Sequence, residues 1–210
     1  DRFPINFRKE QSDGKIFYAQ FFDAIFRNTV MRFALLFIIV PSIAFSKLAF
    51  VPKLEHQRQG HNLCVPTCAA MVLKSYGDPH TPTEIKSLST PPNSPFSGTY
   101  FSDLVKGVGK LGYAWTMIDY PVTDAGFTEG FNKIQASLDA GNAVLVDLYD
   151  PPGGHTVLVI GYDAEFQRVL LLDPNIEAPG LRKLSFAEFK SQWHSVISPV
   201  RGVIFTQRKK

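Results

Sequence analysis

The chain has 210 residues, 45% apolar and 20% charged, without repeats or low-complexity tracts, a composition that suits one globular domain with a substantial core. Its net charge of +3 comes from 22 basic and 19 acidic residues. No dense Lys/Arg cluster precedes the terminal Arg208-Lys209-Lys210, so nucleic acid is not an expected partner. The two cysteines, four residues apart, exclude a disulfide framework.

Residues 1–30 read as an upstream extension or a mis-assigned start. Met31-Arg32 leads into FALLFIIVPSIAFS, an uncharged run of 14 residues closing with the small residues Ala44 and Ser46. A basic start, a short apolar stretch and a small-x-small end predict a secretory signal over 31–46. A membrane anchor needs about 20 apolar residues, and Pro41 interrupts this run. The mature domain is then 47–210, secreted or periplasmic, without a stable membrane span and monomeric.

Cys64–Tyr76 has apolar residues at helical spacing and stops at Gly77, which predicts a helix. Thr81-Pro82-Thr83-Glu84 is a capping box opening a second helix to about Ser89. Thr90–Thr99 is a Pro/Ser/Gly loop and a candidate rim for a substrate site. Phe101–Leu111 predicts a third helix, weakened by Gly107 and Gly109, and Tyr113–Tyr120 a strand. Thr128–Ala140 predicts a helix capped by Thr128 and ended by Gly141. Ala143–Tyr149, nearly all apolar, predicts a central strand. Thr156–Tyr162 and Val169–Leu172 flank the polar segment 163–168 and predict an antiparallel hairpin. Ser185-x-x-Glu188 is a second capping box, for a helix to about Trp193, and Val200–Thr206 predicts the last strand. Helices first and antiparallel strands later make the expected class α+β.

The hairpin carries the most informative pair. His155 and Asp173 lie 18 apart with residue 164, in the proposed turn, midway between them. Folding there sets the two opposite one another on adjacent strands, about 5 Å apart at Cβ. A carboxylate at that range fixes the imidazole tautomer and stabilises its protonated form. Gly153-Gly154 leave backbone open beside the ring. The remaining histidines, 56, 61, 80 and 194, have no comparable partner in the sequence.

Cys64 is the candidate nucleophile because it opens the first strong helix, where unpaired N–H groups and the helix dipole favour a thiolate. Cys68, one turn on, is expected to be a core residue. A metal site of Cys64, Cys68 and His61 lacks a fourth ligand at recognisable spacing, so no cofactor is expected. Oxyanion stabilisation needs donors; the Cys64 N–H is one, and Gln57 or Gln59 the other.

RQGH before NLCVPTCAAMVL, with GGHTVLVIGYD about ninety residues later and then DP, resembles the papain-like cysteine peptidases of the bacteriocin-processing type. The resemblance spans about Leu54 to Phe205. It implies a papain-like fold, with a helical half bearing Cys64 packed on an antiparallel sheet. It also implies a thiol peptidase acting on a peptide or protein, with Cys64 as nucleophile, His155 as base, Asp173 as orienting residue and Gln59 as oxyanion donor. Val65 stands where that family often has Gly, and Cys68 where Ser is common. Gln59 and Gln57 precede Cys64 by five and seven residues rather than about six, so both stay open as donors. Alternatives on the same fold are a non-catalytic peptide-binding module and an acyltransferase or transglutaminase-like enzyme using the same triad.

Overall fold

The computed structural model describes residues 48–209 apart from Ile197, so the expected signal Met31–Ser46 lies outside the described residues. Strand β1 (Leu48–Phe50) precedes helices α1 (Cys64–Ser75), α2 (Pro82–Ser89) and α3 (Phe101–Lys110). Then come β2 (Thr116–Pro121), α4 (Asp124–Asp139), β3 (Val144–Leu148), β4 (His155–Asp163) and β5 (Arg168–Leu172). β6 (Leu181–Ser185), α5 (Phe186–Gln192) and β7 (Val200–Phe205) are the last of the described elements. The strands form one sheet in the order β2-β7-β3-β4-β5-β6, with β1 paired on β4. Every pairing is antiparallel. The class is α+β.

Burial follows from side-chain chemistry. In α1 every residue from Val65 to Leu73 is buried, as expected of a helix apolar on all sides and enclosed by its neighbours. β4 is buried from His155 through Tyr162, the mark of a strand covered on both faces. Both capping boxes form: Glu84 N–H donates to Thr81 Oγ1 and Thr81 N–H to Glu84 Oε2, and Ser185 and Glu188 repeat the exchange. Gly107 keeps α3 close to α2, since a Cβ there would come within 2.9 Å of Ser89 Cα.

Several expectations need correction. Helix α4 begins at Asp124, capped by Thr123 rather than Thr128. Thr123 Oγ1 accepts from Gly126 N–H at 3.1 Å, whereas Thr128 donates back to the Asp124 carbonyl at 2.9 Å, a bond available only inside a helix already begun. The strand expected from Tyr113 starts at Thr116. Strands β1 and β6 were not expected at all. β1 is three residues long with one buried side chain, and β6 alternates exposed Leu181 and Lys183 around one buried Leu184, so neither carries an apolar run.

The hairpin forms, but in a different register. β4 and β5 pair Asp163 with Arg168 and Leu158 with Leu172, with a bulge between Val159 and Gly161. The bulge sits where β1 crosses: a Cβ on Gly161 would lie 2.5 Å from the Ala49 carbonyl oxygen, so only glycine admits that approach. Continuing the ladder past Leu172 sets Asp173 across from Val157, two residues beyond His155. The two side chains share a face but meet diagonally, within the reach of long side chains.

Candidate active site

The chain enters α1 through Asn62, whose φ of 56° is a left-handed conformation that asparagine tolerates. The first helical bond runs from Thr67 N–H to the Leu63 carbonyl at 2.8 Å. Leu63 offers no side-chain cap, and Pro66 has no N–H to satisfy, which suits it to a first turn. Cys64 therefore opens the helix among unpaired N–H groups. It is partly exposed and lines a cleft of about 340 Å³ together with Asn62, Phe96, Gly154 and Thr156. Residues 96–99 of the expected rim loop line the same cleft.

His155 opens β4 and is 7% exposed, and Asp173 just past β5 is 1% exposed. His155 Nε2 donates to Asp173 Oδ1 at 2.6 Å, which leaves Nδ1 for Cys64. Asp173 Oδ1 also accepts from Asn175 N–H at 2.8 Å, and Oδ2 accepts from Arg182 Nη1 at 2.7 Å. The Asp173 N–H donates to the Gly180 carbonyl at 2.8 Å. A second histidine, His56, bonds the Asp173 carbonyl through Nε2 at 3.0 Å. His80, against expectation, also meets a carboxylate, Asp78 Oδ1 at 3.1 Å, because the two stand two residues apart just before α2.

The electrostatics of the three groups agree. Burial pushes the Cys64 thiol up, yet its bond to the His155 ring, the Thr156 and Val65 backbone groups and the imidazolium charge bring it below its usual value. Burial works against the His155 cation, but Asp173 and Cys64 outweigh it and hold the ring up at about 9. Burial raises the Asp173 carboxyl, and His155, Arg182 and the Asn175 N–H overcome that, lowering it to about 2. These shifts favour a thiolate facing an imidazolium, with an ionised aspartate behind it. Cys68 lies apart from this chemistry. It is fully buried, its Sγ is 3.5 Å from the Thr156 carbonyl, and burial raises its thiol well above the ordinary value.

Gln59 is tied to the segment after Asp173 by its N–H, which donates to the Pro174 carbonyl at 2.8 Å. Its Oε1 is buried without a hydrogen-bond partner, although the side chain is not part of the cleft lining. Gln57 is exposed, with its N–H against Met71 Sδ. Among the described residues no group of three or more metal-ligating side chains occurs, and no helix is long and apolar enough to cross a membrane.

Two residues of the site escaped the sequence reading. Arg182 braces Asp173 from β6, a strand without an apolar signature. Asp147 sits in β3 and lines the cleft. Its signal was visible, as one carboxylate inside the apolar run AVLVDLY.

A helix-borne cysteine set against a sheet-borne histidine and aspartate defines the papain-like class of cysteine peptidase folds. The profile of the Peptidase_C39 like family matches residues 48–198, and the chain belongs to that family. A comparison with curated proteins found no match. Among solved structures, the peptidase domain of Streptococcus ComA, a bifunctional ABC transporter of a quorum-sensing pathway, is 19% identical. That alignment covers 74% of this chain and 98% of that one, with a TM-score of 0.54. The double-glycine-motif protease of an AMS/PCAT transporter, solved with its leader peptide, is 13% identical over 75% of this chain and 92% of its own, with a TM-score of 0.53. At these identities the likeness is one of fold.

Proposed function

We propose that the chain is an exported thiol peptidase working through Cys64, His155 and Asp173. The observation that carries this reading is the 2.6 Å bond from His155 Nε2 to a buried, ionised Asp173, with the other ring nitrogen left for Cys64 at a helix start. The Cys64 thiolate attacks a peptide carbonyl carbon, and the oxyanion is received by the Cys64 N–H and the Gln59 carboxamide. Gln59, donating through its carboxamide N–H, is favoured over Gln57 because its backbone is fastened beside Asp173-Pro174, whereas Gln57 is exposed. The imidazolium protonates the departing amine, leaving a thioester on Cys64. Neutral His155 then takes a proton from water, which attacks the thioester. The acid departs, and thiolate and imidazolium are restored. Export rests on the motif in residues 31–46, and fractionation of cells expressing the whole chain tests it.

The test of the chemistry compares the two cysteines. Cys64→Ala abolishes cleavage of a peptide library and leaves the circular dichroism spectrum unchanged, whereas Cys68→Ser keeps most activity. His155→Ala matches the Cys64→Ala loss, because nucleophile and base act as a unit. Asp173→Asn costs less, since an amide still holds the ring. An active Cys64→Ala protein, or equal losses from both cysteine changes, rules the mechanism out.

A further inference from the structure

The sheet floor of the cleft carries a feature that the Cys64–His155–Asp173 chemistry does not use. β2 pairs Asp119 with Gly202 of β7, and β3 pairs Asp147 with Thr156 of β4. The β3–β7 ladder runs through Val146 and Val203, so Asp147 comes next opposite Gly202. One transverse row therefore reads Asp119, Gly202, Asp147, Thr156, all on one face and all lining the cleft that holds Cys64. Two carboxylates stand on either side of a residue with no side chain. With strands about 4.8 Å apart, their Cα atoms are roughly 10 Å from each other, the span of one cation hydrogen-bonded to both.

The carboxylates lean toward the open ground between and beside them. A Cβ on Gly202 would lie 3.5 Å from Asp119 Oδ1 and 3.5 Å from the Phe101 ring, and a Cβ on Gly154 3.2 Å from Asp147 Oδ1. The slot thus has a glycine floor, an aromatic end wall and acidic sides, and Asp147 stands next to the glycine that precedes His155. Although the whole chain is basic, none of the residues lining the cleft is Lys, Arg or His. Arg201, the neighbour of Gly202, pairs on the other face and spends its guanidinium on the Lys190 and Trp193 carbonyls. Among the described residues neither Asp119 nor Asp147 forms an ion pair. Burial raises the Asp147 carboxyl to about 6, against the bond from Ser195 and the His155 charge. A carboxylate desolvated in this way gains most from a cation brought to it.

We infer that this slot is a specificity subsite for a cationic side chain, arginine or lysine, of a peptide lying in the cleft. The inference deepens the peptidase reading and rests on it for the nature of the ligand. Its test separates the two. The full-length Cys64→Ala protein is titrated by fluorescence anisotropy with labelled hexapeptide pools. One residue, scanned through all six positions, is arginine, citrulline or glutamate, and the rest are small and neutral. The arginine pool binds about tenfold more tightly than the citrulline pool, as a charge-assisted hydrogen bond requires. In the Asp119→Asn/Asp147→Asn background the advantage falls below about twofold, by the same bond energies. Equal affinity for arginine and citrulline pools, tighter binding of glutamate, or no binding of the arginine pool at millimolar peptide overturns the inference. Should the double variant not fold, the arginine–citrulline comparison decides alone. Hydrolysis of the same pools by the unsubstituted chain is scored separately. Binding with an arginine preference but no hydrolysis retires the peptidase chemistry and keeps the slot. Hydrolysis without that preference retires the slot and keeps the chemistry.

Discussion

Both oxygens of the Asp173 carboxylate are committed, Oδ1 to the imidazole and the Asn175 N–H, Oδ2 to Arg182. A buried carboxylate needs that many partners, and losing one should reach the thiol. Arg182→Met is expected to lower kcat/KM about tenfold, with Arg182→Lys recovering much of it. Arg182 is 34% exposed at its side chain, so water replaces part of the lost interaction. The diagnostic readout is the pH dependence of Cys64 alkylation, which moves upward in Arg182→Met; an unchanged profile assigns Arg182 to stability alone. The pH response of the folded protein has a definite sign. His155 rises from 6.5 to about 9 on folding, so its stabilisation is complete below 6.5 and is lost as pH climbs through 9. Asp173 drops from 3.8 to about 2, so its stabilisation is present above 3.8 and disappears as pH falls through 2. Melting temperature against pH should be flat between those windows, and His155→Ala should remove the alkaline decline. Activity should rise on the acid side with ionisation of Cys64 and fall near pH 9 as His155 loses its proton.

Helix α4 separates two threonines that a sequence cannot rank. Thr123 and Thr128 are both plausible caps, and what chooses between them is the close approach of the Asp124–Gly126 turn to the Pro121 carbonyl, where a Cβ on Gly126 would overlap it. Thr123→Ala should cost about 1 kcal/mol by urea unfolding, and Thr128→Ala only a few tenths. Equal costs for the two would contradict the observed cap. Elsewhere, local chemistry sufficed. The two capping boxes and the apolar runs of β3, β4, β5 and β7 are legible because each element declares itself through its own residues. β1 and β6 do not. An edge strand buries one or two side chains and draws its order from the partner ladder, so its evidence lies in another part of the chain.

At the scale of the molecule, β1 pairs with β4 at Gly161–Asp163, beyond the Val144–Val159 pair where β3 begins, and this gives the domain a definite beginning. A chain starting at Lys47 keeps every described strand and should unfold in one cooperative transition, whereas one starting at Val51 leaves that edge of β4 unpaired and should melt lower. An insoluble Lys47 chain beside a well-behaved whole chain would refute residues 47–210 as a self-sufficient domain. The sequence alone determined the helix start that carries Cys64, the hairpin that carries His155 and Asp173, and the α+β order of elements. Those features depend on period, caps and turns, which are local. Tertiary structure decided the diagonal meeting of His155 with Asp173, because the bulge that shifts the register answers to the β1 backbone. It decided that Arg182 braces Asp173 and that Gln59, rather than Gln57, is fastened beside Pro174. It also set Asp119 and Asp147 on one face of the sheet, on either side of Gly202. Each of those outcomes joins residues from separate strands or loops, and only the packed sheet and its pairing bring such residues within a hydrogen bond of one another.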